Sequence, residues 1–387
     1  METEQEKEVD RIRQSDLFDA EWYRATYAED IKDGMSPEEH YDTIGWKKGF
    51  NPSPKFNTQY YLERYPDVAA AGINPLVHYL GAGRQEGRVA TKGLADILPA
   101  CPDIAYYRAQ NADLLQMSDE AVRQHMEQYA EATGKSICRY HRSYEFVAYW
   151  NRIIKKFGLD ALEIGPFYKP SLVGDCVEYF DVMDSAALRQ EAIRLGCPTE
   201  RIPQKIHHVS PVGDLTTVKK KYDVVFGSHS IEHQPDLIAH LINVGNILKS
   251  GGVYALRIPD KRYCFDYYLP ESNVAQVIAA HHDKRNVHLL ENILENMMMT
   301  THNDSIKHWR GEHGSYGERL AFCGQGIQKY EEAHGAYVDT HAWQFTPKSF
   351  ERLLKELDEL HLIDLKVVIV LHTLWGGMEF CAILTKM

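Results

Sequence analysis

Three stretches of the 387-residue chain carry residues whose types and spacing could hold a small molecule or move a proton. In LEIGPFYKP, Leu162 to Pro170, an apolar run ends in Glu163, Gly165 and Pro166. A strand followed by such a turn lets backbone approach a ligand closely, and Gly165 supplies the room. In VEYFDVMD, Asp181 falls 18 residues after Glu163 at the end of the next apolar run. An acid there accepts hydrogen bonds from ribose hydroxyls; Asp184 is the second choice. The third stretch, YDVVFGSHSIEHQPDL, brings Ser228, His229 and His233 to the end of another run. A histidine in reach of an acceptor hydroxyl can take its proton, and a structural role is the alternative for each.

A second group lies further on, in HNDSIKHWRGEHG and PDKRYCFD. His302, Asp304, His308 and His313 are further candidates for a base. Arg262 and Arg310 carry the planar fork that suits phosphate or carboxylate, with a surface ion pair as the alternative. Tyr263, Trp309, Tyr267 and Tyr268 could stack on sugar faces or pack a core. Zinc would fit His302, His308 and His313 only if the loop folds them together, because their spacing matches no standard signature. Magnesium would want a cluster of carboxylates that the sequence does not display. The expectation is no metal.

These residues must be positioned by a parallel sheet. Apolar runs alternating with helical segments predict strands at Ala161–Ile164, Val177–Val182, Ile206–Val209, Tyr222–Ser228 and Val253–Ile258. Ile363–Leu371 and Glu379–Thr385 read as an antiparallel hairpin around Gly376 and Gly377. The expected fold class is α/β, a Rossmann-like doubly wound sheet over residues 141–387, with an insertion at about 260–345.

Before residue 140 the pattern differs. WYRATYAEDIKDGMSPEEHYDTIGWKKGF and YYLERYPDVAAAGINPLVHYLGAGRQEGR align without a gap at an offset of 38, pairing Tyr23 with Tyr61, Pro37 with Pro75, His40 with His78, Gly45 with Gly83 and Gly49 with Gly87. A constant offset over so many positions predicts an all-α repeat module in residues 1–140, with copies at about 17–55 and 56–95 and a worn third at about 103–140, where the offset stretches to roughly 46 or 47. Matched histidines in such copies are read as repeating one packing contact rather than binding metal.

Composition narrows the partners. With 43 Lys+Arg against 55 Asp+Glu, the net charge of −12 argues against nucleic acid and anionic membranes. No apolar run is long enough to span a bilayer, and the charged start METEQEKEVD lacks a signal-peptide core, so the expected location is cytoplasmic. Seven cysteines without a C-x-x-C pair suit reduced thiols.

The order of elements, YDVVFGSHSIEHQPDL with NILKSGGVYALRIPD above all, resembles class I methyltransferases that use S-adenosylmethionine. The likeness spans about Leu159 to Met387. PDKRYCFD, HNDSIKHWRGEHG and DTHAWQFTPKSFERLL resemble a subgroup associated with glycan biosynthesis, and the repeats resemble those beside glycosyltransferases of bacterial surface polysaccharides. The resemblance implies S-adenosylmethionine as cofactor, with Asp214 and Leu215 bordering the adenine and Ser228 and His229 the methionine end. It implies O-methylation of a sugar, nucleotide sugar or glycan, with His233, His302 or Asp304 as base, and Arg262, Tyr263, Trp309, Arg310 and His313 near the acceptor. It also allows docking to glycosyltransferases through the repeats, and self-association.

The usual turn of that family carries two further glycines, where this chain has Phe167 and Lys169. The departure weighs more against a dinucleotide, whose pyrophosphate needs a glycine-rich helix start. It also sets up the competing expectation of a methyltransferase-fold binding module without catalysis. A nicotinamide-dependent epimerase or reductase lacks its Tyr-x-x-x-Lys pair at the proper place.

Overall fold

The structure is a computed structural model that describes residues 4–31, 34–86, 88–90 and 93–386; Gly87 lies outside the described residues. The chain divides into two compact units, one ending at Leu98 and the other running from Pro99 to Lys386. The division therefore falls well before residue 140, and the segment 103–140 belongs to the second unit.

In the first unit, short helices start where side chains satisfy their free N–H groups. Asp19 accepts from Trp22 N and Asn57 from Tyr60 N, opening Ala20–Thr26 and Thr58–Arg64. Ser36 and Asn74 cap Pro37–His40 and Pro75–His78, each with proline in its first turn. Their apolar sides meet in a core of Ile12, Tyr23, Tyr41, Phe56, Tyr61 and Leu76. Tyr23 Oη lies 2.9 Å from His40 Nδ1, and Tyr61 Oη lies 3.0 Å from His78 Nδ1. Gly45 and Gly83 leave space for these tyrosines: a Cβ would come within 2.1 Å of the Tyr23 hydroxyl and 2.3 Å of that of Tyr61.

The second unit opens with the helices Ile104–Gln110 and Asp119–Thr133, where Tyr107 Oη again meets a histidine, His125 Nδ1, at 3.2 Å. The helix Ser143–Phe157 follows. Then comes an α/β Rossmann-like sheet of seven strands: β1 Ala161–Ile164, β2 Val177–Asp181, β3 His208–Val209, β4 Tyr222–Ser228, β5 Leu248–Pro259, β6 Leu365–Leu371 and β7 Glu379–Lys386. Their order is β3-β2-β1-β4-β5-β7-β6, with β7 antiparallel to both neighbours and the other pairs parallel.

Only β1 and β4 fall at their expected bounds, and β5 departs furthest. β5 begins at Leu248 because Gly251 and Gly252 are taken into the strand, with a shift of register opposite Tyr222 and Val224. β3 is reduced to two residues. Between β5 and β6 the insertion forms the helices Val274–His282, Leu290–Met298, Ser305–Trp309 and Cys323–Glu332, and Thr346 caps Pro347–Glu359.

The order reverses at β1, which has β2 on one side and β4 on the other. This is the point where crossover helices leave to opposite faces and a crevice opens beyond the strand ends. Register aligns those ends: Ile164 stands beside both Phe180 and Gly227. The residues that follow, Gly165, Asp181 and the Ser228 segment, therefore share one rim.

Candidate functional site

Two adjoining cavities of about 280 and 670 Å³ lie at that rim and share Gly165, Phe167, Asp181, Gly213, His233 and Asp339. Gly165 has φ +68°, and a Cβ there would meet nothing nearer than Ser230 Cβ at 3.9 Å. Phe167, standing where a glycine was expected, has φ +40°. A side chain seldom adopts this left-handed backbone, so the turn keeps a glycine-like path despite its sequence. The Phe167 ring packs against the cluster around Leu188 and lines both cavities.

Glu163 does not line the cleft. Its buried carboxylate accepts from Ser171 N at 2.8 Å and Leu172 N at 2.8 Å, pinning the far end of the turn. Burial pushes its carboxyl up to about 7 against the pull of those N–H groups.

Asp181 does face the cleft. It is 7% exposed, and burial raises its pKa to about 6, while backbone N–H groups of Met183, Val182 and Phe167 pull it down. Gly213 and Leu215 line the same space. Asp214 between them turns away to cap Thr216, accepting from its N–H at 2.9 Å and its hydroxyl at 2.8 Å. Pro166 and Ser228 are not among the lining residues, whereas His229, Ser230 and Gln234 are.

His229 has φ +50°, and its Nε2 lies 2.5 Å from Glu379 Oε2, joining the end of β4 to β7. His233 Nδ1 lies 3.0 Å from Asp339 Oδ1. Burial presses the His233 imidazole down, but Asp339 and Glu232 outweigh it and bring its pKa up to about 9. Asp339 is held near 2 chiefly by His233. Asp339 and Glu232 thus favour the charged form of His233.

The remaining expected residues gather elsewhere, and none lines the cleft. His302, His308 and His313 do converge, but both nitrogens of His302 and His308 and Nδ1 of His313 are engaged: His308 Nδ1 meets His313 Nδ1 at 3.0 Å, His308 Nε2 meets His302 O at 3.0 Å, His302 Nε2 meets Glu312 O at 2.9 Å and His302 Nδ1 accepts from Asp304 N at 3.2 Å. Asp304 caps Lys307 N, and Arg310 closes the same short helix. Arg262 is held by Asp260, with Nη2 to Oδ2 at 2.7 Å. Tyr263 and Trp309 stack on each other at 3.9 Å.

Residues missed from the sequence enter the site through one segment. Ala342 N and Trp343 N donate to Glu232 O at 2.8 and 3.2 Å, and Trp343 Nε1 donates to Gln234 O at 2.6 Å. This clamp brings Asp339 to His233 and His341 to Glu232. The signal was present in DTHAWQF, although no chemistry was attached to it. Among the described residues no helix is long and apolar enough to cross a membrane.

No protein-family model matches the chain, and no curated protein is similar to it. Among solved structures, a S-adenosylmethionine-dependent methyltransferase from Clostridium acetobutylicum ATCC 824 is 10% identical with a TM-score of 0.32, covering 69% of this chain and 98% of its own. Magnesium protoporphyrin IX methyltransferase from Synechocystis PCC 6803 with bound SAH is 10% identical, with a TM-score of 0.30 and coverage of 70% and 100%. The O-methyltransferase from Bacillus cereus in complex with SAH is 11% identical, with a TM-score of 0.28 and coverage of 73% and 100%. Likenesses this weak decide nothing about the reaction, so the weight rests on the chain's own residues.

Proposed function

We propose that the chain is an S-adenosylmethionine-dependent methyltransferase acting on an oxygen of a sugar, nucleotide sugar or glycan in surface-polysaccharide synthesis. The observation that carries the cofactor reading is the meeting of Gly165, the left-handed Phe167 and the buried Asp181 in one cleft at the switch of strand order. Asp181 suits ribose hydroxyls, Gly213 and Leu215 suit the flat adenine, and the His229–Ser230 backbone borders the methionine end.

Bound there, S-adenosylmethionine would supply a sulfonium methyl group for an acceptor oxygen, whose proton would pass to solvent. The chain's part is to align the acceptor and exclude water. His233 and Asp339 stand on the cleft wall, where they would hold an acceptor oxygen.

The sugar assignment draws on the resemblance of PDKRYCFD, HNDSIKHWRGEHG and the helical repeats to glycan-pathway proteins. We read the repeats as a non-catalytic docking part for a glycosyltransferase or a second copy. Titration with S-adenosylhomocysteine, followed by transfer of labelled methyl from S-adenosylmethionine to a panel of glycans and nucleotide sugars, tests the proposal. Transfer only to protein or small amines would sink the sugar assignment. Binding without transfer to any acceptor would favour a non-catalytic binding module, a reading supported by the Phe167 ring lining the cleft.

A further inference from the structure

Glu232 is wholly buried, yet neither carboxylate oxygen has a hydrogen-bond partner. An ionised carboxylate in that state is strongly disfavoured unless a cation meets it. Three imidazole nitrogens surround Oε1: His229 Nδ1 at 3.7 Å, His233 Nε2 at 3.8 Å and His341 Nε2 at 4.0 Å. These separations are too long for hydrogen bonds. Two ligand atoms each about 2.1 Å from one tetrahedral ion stand roughly 3.4 Å apart, so side-chain shifts well under about 1 Å would close the set.

A carboxylate lies close to the second nitrogen of each ring. His233 Nδ1 meets Asp339 Oδ1 at 3.0 Å, His341 Nδ1 meets Asp266 Oδ2 at 2.5 Å, and His229 Nε2 meets Glu379 Oε2 at 2.5 Å. A carboxylate behind a histidine fixes the ring so that its other nitrogen faces an ion, and this outer layer is a recurring part of metal centres. One ligand atom each from Glu232, His233 and His341 already lies within 4.8 Å of the other two.

We propose that Glu232, His233 and His341 bind a first-row divalent transition-metal ion, with His229 Nδ1 also near the carboxylate. Two imidazoles and one carboxylate suit zinc, manganese, cobalt or iron better than magnesium, which prefers oxygen. Three protein ligands leave coordination positions for an outside oxygen. Because His233 is also a cleft residue, the ion borders the cleft. Where the cleft takes a methyl donor, a clause that rests on the function proposed above, an acceptor hydroxyl bound to the ion would lose its proton more readily. His233 would then serve as a ligand through Nε2.

The test is titration of the chelator-stripped full chain with zinc chloride, with visible absorption of a cobalt(II) derivative as the second readout. One ion per chain should bind with micromolar or tighter affinity, while magnesium at the same concentration does not. Glu232→Gln and His341→Ala should weaken zinc binding at least about 100-fold. Asp339→Asn, a change at an exposed carboxylate, should leave the fold intact and weaken it about 10- to 100-fold. His302→Ala with His313→Ala should change nothing. No zinc binding at about 100 µM, unchanged affinity in Asp339→Asn and Glu232→Gln, or loss of binding only in the His302/His313 variant would overturn the assignment. Parallel titration with S-adenosylhomocysteine separates the two proposals, since the metal can fail while the cofactor binds, and the reverse.

Discussion

The carboxylate of Glu163 holds the backbone N–H of Leu172 at 2.8 Å, so the acid before the cleft turn acts from inside the protein. Its carboxyl is raised by burial from 4.5 to about 7, which means the folded state keeps a proton that the unfolded chain releases. That contribution to stability is fully present below about pH 4.5 and is lost as pH rises to about 7, a change of about 3 kcal/mol. Glu163→Gln should remove this slope, making the variant less stable than its parent at pH 5 and closer to it, or above it, at pH 8. Denaturant melts at several pH values check this; parallel curves for the two proteins would refute it.

Asp181 has a pKa of about 6 in the free protein, and its charged form is the better acceptor for ribose hydroxyls. Affinity for S-adenosylhomocysteine should therefore hold above pH 7 and fall about tenfold by pH 5. Asp181→Asn should lower affinity at pH 7.5 by about 10- to 100-fold and flatten the pH dependence. Calorimetric titration over this range is the measurement, and a variant that binds as the parent does would remove Asp181 from the site.

Gly165 offers a clean probe of backbone shape, because its φ is +68° while the space for a Cβ is open. Gly165→Ala should cost about 1–2 kcal/mol from the left-handed backbone alone. A thermal melt unchanged within error would show that the turn relaxes freely.

Gly45 and Tyr23 are coupled through a single oxygen. Gly45→Ala would set a methyl 2.1 Å from the Tyr23 hydroxyl but 3.3 Å from its ring carbon, so the variant should lose about 1–3 kcal/mol in the first unit. Adding Tyr23→Phe removes the clashing oxygen and should restore part of the loss, less about 1 kcal/mol for the missing bond to His40. Hydrogen exchange of residues 20–80 reads the two variants separately from the sheet; strictly additive losses would count against the coupling.

Much of the sheet was legible because continuous apolar runs such as Tyr222–Ser228 leave little choice of face or length, and β1 and β4 fall at their expected bounds. β5 was read short because Gly251 and Gly252 look like a turn in sequence, while the neighbouring strand absorbs them as an irregularity. Asp181 and Gly165 were legible because strand ends fix their place. Glu163 was not, since alternation along a strand does not say which layer a side chain enters. The richest cluster of histidines, His302 to His313, engages its nitrogens within its own loop, whereas His341 reaches Glu232 across more than a hundred residues by a backbone clamp. Pairings of that kind depend on tertiary packing and leave no local period.

Removal of residues 1–98 should leave binding of S-adenosylhomocysteine unchanged, whereas removal of 1–140 should not. The longer cut takes away the helix Asp119–Thr133 and the residues after it, including Glu131, which pairs with Lys348 at 2.8 Å, and the carbonyls of Gly134 and Lys135, which bond Trp375 N and His372 Nε2. Equal binding by both truncated proteins would show these contacts to be dispensable.

The Tyr107–His125 bond, a third instance of the tyrosine–histidine pair, therefore lies in the same unit as the sheet, beyond the division at Leu98. If genes for such proteins exchange their front parts, the crossover that yields a working product is expected near Leu98. The stretch from 103 to 140 would then travel with the sheet as inherited equipment, even where its spelling matches the part left behind.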